Sequence, residues 1–182
     1  MILIFDTETT GFPLRRYAPP ASFHNWDTSR LIEIAWFIFD PETHEKVDSR
    51  QFLIKPNSFY IPNADFHGIT QEIAMRDGVP LADVFDALKS VLPSVTLVVA
   101  HNVEFDDNVL QAEMFRANEL FLQRDWASIP KFCTMKTTTN SKWPRLIELY
   151  TRLFPGEEPL TQHRAASDAE MCARCYFKLI DK

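Results

Sequence analysis

The chain has 182 residues, enough for one domain that buries a sizeable core. Its formal charge of −6 and pI near 5.4 exclude a protein that coats nucleic acid through bulk positive potential, while an enzyme gripping a few phosphates stays compatible. Prolines number 12 against only 4 glycines, and aromatics reach 13%, which argues against disorder and predicts fixed, proline-punctuated connections.

Met1 to Thr10 carries the apolar run Ile2-Leu3-Ile4-Phe5, which delivers Asp6-Thr7-Glu8 and breaks at Thr10-Gly11. This pattern predicts a buried strand. Side chains alternate across a strand, so Asp6 and Glu8 share a face with Cα atoms roughly 7 Å apart. Two carboxylates at the edge of a core repel one another and resist desolvation unless a cation neutralises them, whereas a lone Asp-x-Glu on a solvated face needs none.

Leu14 to Ser29 has no apolar period and reads as a long loop carrying Arg15, Arg16, Tyr17, His24 and Trp26, suited either to substrate contact or to packing itself down. Leu31 to Phe39 is β-branched and aromatic and ends at Asp40-Pro41, a strand running into a turn, with Gln51 to Ile54 as its hairpin partner. With the first strand these predict a meander of three adjacent antiparallel strands. Lys55 to Gly68 is expected to stay extended. Thr70 to Arg76 reads as a short helix ended by Gly78, and Pro80 opens another whose Val84, Leu88, Val91 and Leu92 form one apolar face.

Thr96 to Ala100 is a short, wholly apolar strand, followed by a helix from about Glu104 to Asn118. On that helix Asp106 lies on the stripe of Leu110, Met114 and Ala117 and faces inward, Asp107 falls on a more polar side with Gln111, and Glu113 interrupts the stripe. Between Asp125 and Glu148 the only charges are Lys131, Lys136, Lys142 and Arg145, a basic stretch that suits a phosphate backbone or a solvated face. A helix over Arg145 to Leu153 follows Pro144. The last helix, Ala165 to Ile180, aligns Asp168 with Cys172, Cys175 and Leu179, so this acid too faces the interior.

Four carboxylates, each expensive to bury alone, are therefore expected to converge. Hard oxygen ligands favour Mg²⁺ or Mn²⁺, and two such ions roughly 3.5–4 Å apart would clamp the attacking and leaving oxygens of a phosphoryl displacement. His163, five residues before Asp168, would point about 140° away from it on a regular helix, which predicts that it lies outside the helix. An imidazole, titrating near pH 6.5 when unperturbed (about that value in peptides), could there take the proton of attacking water. Cys172-Ala173-Arg174-Cys175 has the spacing of half a zinc site or a redox pair, but no second pair matches it, and core thiols are the stronger reading. Three cysteines, no membrane-length run and an apolar start of four residues predict a soluble, cytoplasmic protein with reduced thiols and no secretory signal.

Phe5-Asp6-Thr7-Glu8-Thr9-Thr10-Gly11, Ala100-His101-Asn102-Val103-Glu104-Phe105-Asp106 and His163-Arg164-Ala165-Ala166-Ser167-Asp168 resemble, in order, the three motifs of the DEDDh 3′-5′ exonuclease family. That family includes the proofreading subunit of bacterial replicative polymerases and ribonuclease T. The resemblance covers nearly the whole chain. It implies one exonuclease domain over 1–182 of ribonuclease H-like α/β fold, a mixed sheet of three antiparallel strands then parallel ones, with helices on both faces. It implies that Asp6, Glu8, Asp106 and Asp168 bind two divalent metal ions, Mg²⁺ or Mn²⁺, that His163 is the general base, and that Thr9 and Phe12 line the terminal-nucleotide pocket. His67-Gly68-Ile69-Thr70 is similar to a family segment whose histidine lies near the nucleotide, the alternative being a histidine that ties its own loop. The implied substrate is nucleic acid with a free 3′ end, DNA before RNA, and the implied partner a DNA polymerase or replication complex. A catalytically silent nucleic-acid-binding module on the same fold is the alternative, as is a thiol or zinc protein.

Overall fold

The computed structural model describes residues 1–16, 18–137, 142–161 and 163–181. Among these described residues five strands form one sheet in the order β3-β2-β1-β4-β5, with β1 Ile2–Thr9, β2 Leu31–Phe39, β3 Lys46–Leu53, β4 Leu97–Ala100 and β5 Lys131–Cys133. Strands β1, β2 and β3 are antiparallel neighbours, while β4 and β5 run parallel to β1. This is the predicted mixed sheet. The parallel strands follow long crossovers, as parallel pairing requires.

Alternation along β1 sorts the molecule into two layers. Leu3 and Phe5 join a core with α3 (Leu81–Val91), α4 (Val103–Arg116) and α5 (Leu120–Ser128) on one side of the sheet. Ile2 and Ile4 face Cys172, Ala173 and Tyr176 of α7 (Ala165–Ile180) on the other. Helix α6 (Leu146–Leu153) leans on α7 through Leu149, Tyr150, Met171 and Cys175. Helices thus cover both faces.

Several elements differ from expectation. Strand β3 begins at Lys46, five residues early, because an edge strand lacks the apolar alternation that marks a buried one: Lys46, Val47, Ser49 and Arg50 are solvent-facing. The segment expected to stay extended contains a one-turn helix, α1 (Ala64–His67), bracketed by left-handed Asn63 (φ 57°) and Gly68 (φ 72°). The next helix, α2 (Gln71–Asp77), starts where Thr70 Oγ1 accepts the Ile73 amide hydrogen. Helix α4 stops two residues short of Asn118, which turns left-handed. Helix α5 and strand β5 were not foreseen, since three residues of strand and a helix of mixed polarity leave little periodicity.

The loop after β1 is packed down by a 3₁₀ turn, Phe23–Trp26, with Trp26 buried against Phe105 of α4. Tyr17 of that loop lies outside the described residues. Cys172 and Cys175 are free thiols in the core, as the stronger reading had them. Among the described residues no helix is long and apolar enough to cross a membrane.

Candidate active site

The C-terminal end of β1 positions the site. Asp6 and Glu8 follow Ile2 and Ile4 on the α7 side of the sheet, and Asp168, in the first turn of α7, meets them there. Ligand oxygens of these three acids lie within 4.8 Å of one another, a spacing a metal ion can span. Asp106 arrives from the opposite layer. It projects from the first turn of α4, where its Oδ1 accepts the Thr7 amide hydrogen at 3.1 Å and the Thr7 hydroxyl at 2.6 Å. Thr7, pointing away from the α7 face, is therefore the hinge that links the two layers at the site.

The charges confirm how uncomfortable this cluster is without a cation. Burial, then Asp106, Asp168, Glu8 and Glu33, push Asp6 well above the usual carboxylate range. Burial and the neighbouring acids raise Glu8 to about 8, against a small opposing pull from Arg164. Asp106 is raised by burial to about 7 despite its two bonds from Thr7, and Asp168 is raised by burial as well. Hard carboxylates whose ionisation burial makes costly are a donor set fitted to divalent cations.

His163 lies outside α7, in the left-handed region at φ 62°, and its amide donates to Asp168 Oδ2 at 2.9 Å. Its ring packs on Phe66 with centroids 3.9 Å apart. Glu8, Thr9, Phe12 and His67 line one cavity of about 650 Å³ together with Phe66 and Phe105. Phe12 is 82% exposed and touches Phe105, while the Thr9 hydroxyl caps the Gly11 carbonyl at 2.9 Å. His67 is buried; its Nδ1 accepts the Ile69 amide hydrogen, so the ring proton sits on Nε2, and burial lowers its basicity. It ties its own turn and walls the cavity at once.

Glu33 was missed, although an acid in the run Leu31-Ile32-Glu33-Ile34 is a signal. It sits opposite Glu8 on β2, 1% exposed. Its carboxylate takes Arg164 Nη2 at 2.7 Å and Nε at 3.1 Å, the Ala165 amide at 3.0 Å and Gln51 at 2.9 Å. Burial pushes Glu33 up, but these donors more than offset it and hold it below its ordinary value. Both oxygens are taken, so this fifth acid is a clasp on the start of α7.

The other anticipated features settle into packing roles. Glu113, the flaw in the α4 stripe, is a buried partner of Arg30 and Arg116. Asp107 accepts from Trp126 Nε1 and Gln111, under the unforeseen α5. In the basic stretch, Lys131 donates to the Trp126 and Ile129 carbonyls, Lys136 pairs with Glu104, and Arg145 pairs with Glu148. Its Thr138 to Ser141 portion lies outside the described residues.

Comparison with known proteins gives a consistent picture. The RNase T family model, described as exonuclease, matches residues 3–176. No curated protein matches the sequence. Among solved structures, the chain is similar to exonuclease X in complex with 5′ overhanging duplex DNA, at 21% identity and TM-score 0.61, covering 100% of this chain and 92% of that one. It is similar to E. coli exonuclease I in complex with a dT13 oligonucleotide, at 21% identity and TM-score 0.71 over all of this chain and 41% of that one, so it spans less than half of exonuclease I. It is also similar to S. pombe Pop2p in its Mg²⁺- and Mn²⁺-bound form, at 20% identity and TM-score 0.71, covering 100% and 83%. At these identities the likeness establishes a shared fold, the ribonuclease H-like exonuclease architecture.

Proposed function

Because the chain belongs to the exonuclease family, we propose that it removes nucleotides one at a time from the 3′ end of nucleic acid, DNA before RNA, as nucleoside 5′-monophosphates. The observation that carries this reading is the convergence of Asp6, Glu8 and Asp168 within 4.8 Å, with Glu8 also lining a nucleotide-sized cavity. Asp6, Glu8, Asp168 and Asp106 would hold two divalent ions, Mg²⁺ or Mn²⁺, across the 1–182 domain's sheet end. Such ions supply charge stabilisation to the attacking and leaving oxygens.

The chain's own residues do the rest. Asp106, fixed by Thr7, and Asp168, fixed by the His163 amide, keep the cluster's geometry rigid. His163 takes the proton of the attacking water, and Glu33, through Arg164 and Ala165, anchors the backbone from which it projects. Thr9, Phe12 and His67 surround the terminal nucleotide, the exposed Phe12 offering its ring to a base. A replicative polymerase is the partner that a proofreading role would bring.

A time course with 3′-labelled and 5′-labelled single-stranded DNA and RNA oligonucleotides, with Mg²⁺, Mn²⁺ or chelator, tests this, with Asp6→Ala as the blank. The expected result is metal-dependent loss of 3′ label and a shortening 5′-labelled ladder. A folded, metal-binding protein that cuts neither polymer would instead be a silent binding module.

A further inference from the structure

The imidazole assigned as general base is held at its backbone and packed, at its ring, on the aromatic side chain of Phe66. Its amide is fixed by Asp168, and the next residue, Arg164, is fixed by Glu33, so the freedom left to His163 is in its side-chain torsions. The ring packs on Phe66, 3.9 Å between centroids and tilted by 39°, and makes no hydrogen bond to a described residue. Phe66 is 61% exposed, sits on α1 between two left-handed residues, and also lines the 650 Å³ cavity. An exposed aromatic at a cavity wall is a stacking platform, because every base has a π-face.

We propose that Phe66 is a positioning residue that couples the two halves of the site: the ring that carries His163 is the ring a terminal base meets on entering the cavity. This rests on the exonuclease reading. A base that packs on Phe66 competes for or reshapes the face on which the imidazole lies, so occupancy of the cavity sets where the imidazole goes. The imidazole is then placed for proton transfer only when a nucleotide is present. His67, the next residue of the same turn, is locked by its Nδ1 bond to Ile69, which gives Phe66 a stiff support.

The test combines imidazole NMR of the full chain with a kinetic cycle. In Mg²⁺, the His163 ring signals are recorded in wild type, Phe66→Leu and Phe66→Tyr, each with and without thymidine 5′-monophosphate. Phe66→Leu should move the His163 signals by removing the ring current, Phe66→Tyr should keep them, and the nucleotide should move them in wild type but not in Phe66→Leu. On a short oligonucleotide, Phe66→Leu should lower kcat roughly threefold to tenfold, the weight of one aromatic pair, and the loss should vanish in a His163→Ala background. Signals indifferent to Phe66→Leu or to the nucleotide overturn the proposal, as does an equal loss in both backgrounds or a loss confined to KM. If wild type cuts nothing, the exonuclease reading falls while the imidazole signals still decide the coupling between Phe66 and His163.

Discussion

Removing metal from this protein should make its stability fall as pH rises, and Glu8 should carry a separable part of that effect, Asp6, Asp106 and Asp168 adding to it in the same direction. The carboxyl of Glu8 faces Asp6 on its own strand, Glu33 from β2, Asp106 from α4, and Asp168 and Arg164 from the start of α7, and it is raised from 4.5 to about 8. In the unfolded chain it loses its proton near 4.5. Between those values the folded state holds a proton that the unfolded state lacks, so stability drops with rising pH across that window and is unaffected by this group below it. At about 1.4 kcal/mol per pH unit, the shift of Glu8 from 4.5 to about 8 bounds the loss at roughly 5 kcal/mol. For a chain of this size that is up to roughly 10–20 °C in melting temperature. Saturating Mg²⁺ takes the proton's place and should abolish the slope, so the gap between chelated and Mg²⁺-loaded protein should widen from pH 5 to pH 8. His67 and His101, whose basicity burial lowers, tilt stability the opposite way in the acid range. The comparison is therefore made between wild type and Glu8→Gln, which share both histidines and the other raised carboxyls. A chelated wild type whose melting temperature changes with pH just as Glu8→Gln does, or an Mg²⁺ effect as large at pH 5 as at pH 8, would refute the placement of Glu8 in an uncompensated acidic cluster.

Asp6→Ala and Asp168→Ala should abolish hydrolysis while leaving the circular dichroism spectrum intact, and Asp6→Ala, which relieves repulsion, should not melt lower than chelated wild type. Turnover in either purified variant above a mock preparation would count against the metal assignment. His163→Ala should slow hydrolysis by roughly 10²- to 10⁴-fold and change the pH profile of kcat; an unchanged profile would remove the imidazole from proton transfer. Glu33→Ala strips the partner from the Ala165 amide and from an Arg164 side chain that is 48% exposed, so a loss of about 1–3 kcal/mol is expected, read as a lower melting temperature. An unshifted melt would show that another contact fixes the start of α7.

What the sequence made legible is what periodicity can carry. Alternation put Asp6 and Glu8 on one face, and helical spacing turned Asp106 and Asp168 inward, as both acids are found. It placed β2 and α7 at the bounds observed. Periodicity says which side of an element is covered and nothing of what covers it. Asp107 illustrates this: the more polar side of α4 is roofed by α5, whose Trp126 donates to Asp107, and the sequence of α5 alternates too little to announce a helix. Glu113 broke the α4 stripe on paper because its cations, Arg30 and Arg116, come from a loop end and from the helix's own last turn. The edge strand β3 and the three residues of β5 were hidden for the complementary reason, that pairing through backbone alone needs no apolar signature.

The hardest distinction at the site is between an acid that binds metal and an acid that holds the fold, since five carboxylates meet at one end of the sheet. Donor saturation separates them. Glu33 has both oxygens occupied by Arg164, Ala165 and Gln51 and stays below its ordinary value, so a cation would find no free lone pair without breaking the clasp. Asp106 and Asp168 each spend hydrogen-bonding capacity on orientation, to Thr7 and to the His163 amide, and keep the remainder for a ligand. On Asp6 and Glu8 only burial and neighbouring charges act, and both are pushed toward their protonated forms. A carboxylate pair that the protein declines to satisfy, beside a third that it satisfies completely, is an arrangement that makes physical sense when a cation completes the first and the fold completes the second.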